Sequence, residues 1–238
     1  MSNSTTPLLG KAKVRAEAEA RKHERAWFDL GYRGGGESEG RRYSEKECYV
    51  KALELDPSNA TAWLYLGFRG RGGRVKRQDY SKKDCYLKAL ELDPSNASAW
   101  FGLGVVGGGR VGGQDYSEKA CYLKALELDP SYASAWFGLG VVGGGRVGGQ
   151  DYSEKACYLK ALELDPSYAS AWFGLGVVGG GRVGGQDYSE KACYLKALEL
   201  DPSYASAWYN LGVEGGGRVG GRFYSKDECY AKYRELQK

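Results

Sequence analysis

One stretch constrains this chain more than any other, because it occurs three times. Residues 97–132 read ASAWFGLGVVGGGRVGGQDYSEKACYLKALELDPSY, and residues 133–168 and 169–204 repeat them letter for letter. Self-similarity at a period of 20 to 50 residues marks a stacked repeat architecture, in which each unit buries its apolar face against its neighbours. A length of 238 residues then does not imply two globular domains, but one repeat array. Three identical copies imply either recent duplication or deliberate construction.

Tryptophans carry the frame beyond the identical copies: Trp27, Trp63, Trp100, Trp136, Trp172 and Trp208. They define six repeats, 24–59, 60–96, 97–132, 133–168, 169–204 and 205–238, the second with one extra residue in its Gly-rich segment. Ahead of them, residues 1–10 (MSNSTTPLLG) are small and polar and are expected to be disordered. Residues 11–30 are rich in Ala, Glu, Lys and Arg and lack Pro and Gly, which is strong helix chemistry. Residues 11–23 are expected to form a charged helical extension that caps the array.

Two helices are expected per repeat. In the third, the first helix runs from about Ser95, the candidate cap, to Val106, with Ala99, Leu103 and Val106 on one face. The glycines at 107–109 end it. The second is capped at Ser117 and continues as CYLKALEL until Asp129-Pro130, since a residue before proline is pushed out of helical geometry. Ser44 with Glu47, and Ser225 with Glu228, have the spacing of a capping box. Helices of about twelve residues do not persist alone in water, so the equivalents of Trp100, Leu103, Tyr122, Ala125 and Leu128 are expected to be buried. The last repeat has Tyr233 and Arg234 where an inner copy has Ala197 and Leu198, as suits an end with no further unit to admit.

Trp100, Leu103, Gly104, Tyr122, Ala125 and Pro130 fall in order on the pattern of the tetratricopeptide repeat, and repeats two to five carry the same set. Repeat one keeps it with Trp27, Leu30, Gly31, Tyr49, Ala52 and Pro57. The chain therefore resembles that family over residues 24–238. It departs from it in a period of 36 and in the long turn GGGRVGGQ, which is similar to the Sel-like repeats. The resemblance implies an all-α fold: an α-solenoid of six helix-turn-helix repeats with Gly-rich loops within each repeat. It implies a right-handed superhelix whose first helices line a concave groove for protein segments.

On that resemblance the groove holds the residue after each tryptophan: Phe28, Leu64, Phe101, Phe137, Phe173 and Tyr209. Four residues further on stand Tyr32, Phe68, Val105, Val141, Val177 and Val213. An apolar stripe of this kind suits a peptide or a helix, or else packs neighbouring first helices together. The Lys and Asn with which some tetratricopeptide domains hold acidic chaperone tails are replaced by apolar residues here. The Gly-rich turns carry Arg110, Arg146, Arg182 and Arg218, and repeat two adds Arg69, Arg71, Arg74, Lys76 and Arg77. These basic loops suit an acidic protein or RNA phosphates, aided by glycine N–H nests, or simply serve solubility. Val111 is expected to pin its loop to the helices.

Other classes are disfavoured. GGGRVG matches G-x-G-x-x-G by letter, but it leaves a helix where a dinucleotide site must follow a strand, and no Lys-Ser/Thr follows it. Cys48, Cys85, Cys121, Cys157, Cys193 and Cys229 recur once per repeat. A stack spaced by about 10 Å keeps them beyond disulfide reach, they lack the paired spacing of zinc sites, and they suit a reducing compartment. With one histidine, His23, no catalytic constellation assembles. The charge of +4, from 34 Lys and Arg against 30 Asp and Glu, demands no nucleic acid or membrane. No apolar run approaches the ~20 residues that span a bilayer. The expectation is a cytoplasmic, non-enzymatic scaffold without metal or cofactor that binds a protein segment. The alternatives are an RNA or polyanion binder and a structural spacer in a larger or end-to-end assembly.

Overall fold

A computed structural model describes residues 6–38 and 40–237, with side chains from residue 18 onward. It divides into two compact units, Met1–Ser117 and Glu118–Lys238. In the first, α1 (Thr6–Tyr32) is followed by β1 (Gly36–Ser38), β2 (Arg41–Tyr43), α2 (Glu45–Leu55) and α3 (Ala60–Phe68). Then come β3 (Gly72–Val75), β4 (Gln78–Ser81), α4 (Lys82–Leu92), α5 (Ala97–Val105), β5 (Gly109–Val111) and β6 (Gln114–Tyr116). The second unit begins with α6 (Glu118–Leu128), α7 (Ala133–Val141), β7 (Gly145–Val147), β8 (Gln150–Tyr152), α8 (Glu154–Leu164) and α9 (Ala169–Val177). It ends with β9 (Gly181–Val183), β10 (Gln186–Tyr188), α10 (Glu190–Leu200), α11 (Ala205–Val213), β11 (Gly216–Val219), β12 (Arg222–Ser225) and α12 (Lys226–Leu236).

Within each unit, successive helices pack on one another in sequence order, α1 to α5 in one and α6 to α12 in the other. The helix pairs are those the sequence implies. They fit an all-helical repeat solenoid, to which the Gly-rich turns add short strands in place of the expected loops. Among the described residues each forms a two-stranded antiparallel hairpin. Gly145 faces Tyr152, Arg146 faces Asp151 and Val147 faces Gln150, around a turn at Gly148-Gly149. Those two glycines have φ of +56° and +85°, the left-handed pair that a two-residue hairpin turn requires. The run of glycines before it closes the preceding helix. Gly143 N–H bonds Gly140 O at 2.9 Å and Gly144 N–H bonds Leu139 O at 2.8 Å. This is a Schellman closure.

Boundaries shift for local reasons. α1 begins at Thr6, so residues 6–10, expected to be disordered, are helical. A proline in the first turn does not oppose a helix, and the Ala- and Lys-rich sequence after it carries the helix past Gly10. Residues 1–5 lie outside the described residues. Asn96, not Ser95, caps α5, accepting from Ala99 N–H at 3.0 Å. Ser95 is spent on an Asx turn, where its N–H and hydroxyl bond Asp93 Oδ1 at 3.0 and 2.6 Å. The capping boxes at Ser44 and Ser225 form, and Ser81 with Asp84 makes a third.

The core follows the repeat. Trp100, Leu103, Tyr122 and Ala125 are buried, as are their inner equivalents. Leu128 is not: it is 43% exposed, while Leu126 is fully buried. Tyr122, Ala125 and Leu126 stand at i, i+3 and i+4 on one helix face, and Leu128 falls two residues past it. Each tryptophan from Trp63 onward is fixed from both sides. Trp136 Nε1 donates to Pro130 O at 2.8 Å, and its ring meets Tyr152 of the hairpin edge-on at 4.7 Å between centroids. The hairpin tyrosine thus seats the hairpin on the helices, while Val111 is half-buried beside it.

Candidate functional site

In the C-terminal unit the first-helix face is built from α7, α9 and α11. Trp136 and Leu139 of α7 point inward. Phe137, one position on, lies beside Tyr158 at 5.8 Å and Tyr168 at 5.2 Å between centroids. Phe173 repeats this with Tyr194 at 5.8 Å and Tyr204 at 4.9 Å. Tyr209 meets Tyr230 at 5.5 Å and Tyr233 at 5.3 Å. The aromatics are therefore half built into the packing of their own repeats. The valines are not: Val141, Val177 and Val213 are 57%, 55% and 57% exposed.

In the N-terminal unit Val105 and Phe68 are also exposed, and Leu64 and Phe101 are half-buried. Phe28 joins an aromatic cluster with Tyr32, Tyr49 and Tyr65, at 6.4, 5.9 and 5.8 Å. Asn59 caps α3 there and donates to Glu24 Oε1 at 2.6 Å. Burial of Glu24 raises its pKa against the pull of that bond.

Two sets of residues on this face escaped the sequence analysis. Tyr168 and Tyr204 stand at the N-cap positions of α9 and α11, partly buried, where the N-terminal unit has Asn59 and Asn96. Burial raises both pKa values, opposed by bonds to Ser134 and Ser170. The signal was the change from DPSN to DPSY between repeats. The second set is glycine. A Cβ on Gly140 would stand 2.6 Å from the Tyr158 ring, and one on Gly174 would stand 2.9 Å from the same ring. Tyr86 is held in the same way, by Gly67 of its own repeat and Gly102 of the next. The first glycine of each WFGLG motif was legible only as helix-breaking composition, since its reason lies in the neighbouring repeat.

The inner arginines are engaged within their own hairpins. The Nε of Arg110, Arg146 and Arg182 donates to Gly113, Gly149 and Gly185 O at 3.0, 3.1 and 3.0 Å. Each lies opposite an aspartate, Asp115, Asp151 or Asp187. Arg218 donates to Gly221 O at 2.9 Å and lies opposite Phe223. The N–H groups of Gly143 and Gly144 are consumed by the helix closure, so those donors are not left over for an anion nest. Repeat two differs. Arg69 pairs with Glu45 at 3.3 Å, Arg74 lies opposite Asp79, and Arg71, Lys76 and Arg77 hold φ of 55°, 47° and 70°.

All six cysteines are buried and outside any disulfide. Burial pushes the Cys157 and Cys193 thiols up to about 11. That is core chemistry, not the lowered pKa of a reactive thiol. Among the described residues no three His, Cys, Asp or Glu side chains gather as a metal set, and no helix is long and apolar enough to cross a membrane.

Helix pairs repeating at a fixed period, with Gly102, Gly138 and Gly174 each against a tyrosine of the preceding repeat, define a helical repeat protein. The family model of the TPR repeat matches residues 192–213, the second helix of repeat five with the first helix of repeat six. With the repeated helix pairs, that match supports a tetratricopeptide-like protein. Repeats of that family generally mediate protein–protein interaction. No curated protein matches the sequence.

Proposed function

We propose that the chain is a non-enzymatic scaffold that binds a protein segment along its first-helix face. The observation that carries this is the row Val141, Val177 and Val213, more than half exposed at one position in successive repeats. Phe137, Phe173 and Tyr209 flank it. An apolar residue kept in water at one position of each repeat gains from a ligand that covers the row. The reading adopts the right-handed superhelix that the resemblance implies, with this face inside and residues 11–23 as the cap. Six buried cysteines outside any disulfide favour a reducing compartment and hence the cytoplasm.

The test is selection of binding peptides from a random library, followed by titration against Val141→Ser combined with Val177→Ser. Weakening by about tenfold or more is expected, as for the loss of apolar contact area. Unchanged affinity would sink the assignment of this face. Because α7 and α9 are identical, either single substitution is expected to weaken binding to a similar degree.

A further inference from the structure

The charge of the chain is unevenly placed. Residues 1–117 hold 20 Lys and Arg against 15 Asp and Glu, and residues 118–238 hold 14 against 15. The excess gathers around the hairpin of repeat two and the cavity beneath it.

Three observations converge there. The first is backbone strain. Arg71, Lys76 and Arg77 occupy the left-handed region, where inner repeats place Gly107, Gly112 and Gly113. Such a backbone costs a non-glycine residue about 1–2 kcal/mol. All three strained residues are cations. Strain retained against an available glycine points to function.

The second is a cavity of about 310 Å³ between the first two hairpins and α2. Arg41, Lys46, Lys51 and Arg74 line it, with Glu47 and Glu54. Glu47 is already engaged by Arg41 at 2.6 Å and by the Ser44 cap.

The third is Lys51 itself. In repeats two to six the equivalent lysine bonds the glutamate three residues on, at 2.6 to 2.9 Å. In repeat one Lys51 instead lies over the rings of Trp27 and Tyr43, at 5.2 and 5.5 Å from their centroids, at the cavity wall.

We propose that this cavity and the hairpin above it bind a phosphodiester chain, with phosphates held by Lys46, Lys51 and Arg74 and by the turn residues Arg71, Lys76 and Arg77. A protein partner fits less well. No exposed large apolar side chain lies among the cavity residues or between Arg71 and Arg77, whereas a protein interface needs an apolar anchor at its centre. Polar, strongly basic surfaces are the nucleic-acid pattern. The site is separate from the valine row and does not depend on it.

The experiment titrates fluorescein-labelled oligo-uridine RNA into the full chain at several salt concentrations. Single-strand binding weakens with salt at a slope of about 0.7 per phosphate neutralised. Arg71→Gly, Lys76→Gly and Arg77→Gly together should lower that slope by about 2 and weaken binding by about tenfold or more at low salt. Thermal melting of this variant should rise, because glycine relieves the strain, so loss of binding is not loss of fold. Lys51→Gln with Arg74→Gln should also weaken binding. Arg146→Gln with Arg182→Gln should leave it unchanged, as should Val141→Ser.

Three results overturn the proposal. One is an equal loss from the Arg146 and Arg182 substitutions. Another is wild-type binding no tighter than that of the triple variant. The third is poly-glutamate binding as tightly as the RNA, which would assign the surface to an acidic protein.

Discussion

Tyr49 and its equivalents carry the same side chain into different bonds. In repeats three and four, Tyr122 and Tyr158 donate to Glu118 and Glu154, four residues back, at 3.1 and 3.2 Å. In repeat one the corresponding Glu45 is drawn to Arg69, and the Tyr49 hydroxyl is buried without a hydrogen-bond partner. An unsatisfied buried hydroxyl costs more than a missing one. Tyr49→Phe is therefore expected to leave stability unchanged or raise it by about 1 kcal/mol, while Tyr158→Phe lowers it by about 0.5–1.5 kcal/mol. Urea midpoints decide this, and a clear loss from Tyr49→Phe would show that its hydroxyl has a partner after all. The same burial sets a pH response. Desolvation raises Tyr49 from 10.0 to about 12, Cys85 from 9.0 to about 12, and Cys157 and Cys193 from 9.0 to about 11. As pH climbs past 9 the unfolded chain releases these protons first, so the folded state binds more of them and its stability falls. The contribution is complete below pH 9 and is lost progressively through pH 11 to 12. Urea midpoints should accordingly decline between pH 8.5 and 10.5, and a flat profile would contradict the burial of these groups.

At the scale of the element, two kinds of glycine act in opposite ways. Gly140 is helical and needed for space, since a Cβ would stand 2.6 Å from Tyr158. Gly148 is needed for its φ of +56° and has open space around it. Gly140→Ala is expected to cost more than 2 kcal/mol through overpacking, whereas Gly148→Ala costs about 1–2 kcal/mol through backbone strain. Chemical denaturation of the two variants separates them, and a benign Gly140→Ala would mean that Tyr158 can move aside. Helix existence was legible in the sequence because Trp, Leu, Ala and Leu recur at helical spacing between Asp-Pro stops. The hairpins were not, because strands of three residues such as GRV and QDY are too short to show alternation. Only the Gly-Gly step between them encodes the turn, and it reads equally as loop composition. Ser95 misled for a related reason: a serine after Asp-Pro satisfies either a cap or an Asx turn, and the Asn that follows it decides. The groove residues were placed in sequence by position alone. Their division into packed aromatics and exposed valines depends on Tyr158, Tyr168, Tyr194 and Tyr204, which come from other elements.

At the scale of the molecule, repeats that contact only their neighbours make stability a sum of repeat and interface terms. The identical copies allow a test that few repeat proteins offer. Removing residues 133–168 joins Tyr132 to Ala169, which reproduces the Tyr168–Ala169 junction residue for residue. No new kind of side-chain neighbour is created, Tyr122 meets Gly174 as it now meets the equivalent Gly138, and each hairpin keeps the helix beneath it. The shortened chain should therefore fold cooperatively, with its urea m-value lower by about 15%, in proportion to the surface no longer buried. It should still bind first-helix-face peptides, but with a shorter valine row. Removing 30 residues from the same place, 133–162, breaks the frame. It deletes the Trp136 and Tyr158 layers yet keeps the Asp165-Pro166 stop, leaving apolar faces without partners. That chain should lose cooperativity or fail to fold. Equal behaviour of the two deletions would mean that the period does not set the packing, and the nearest-neighbour account of this fold would then fail.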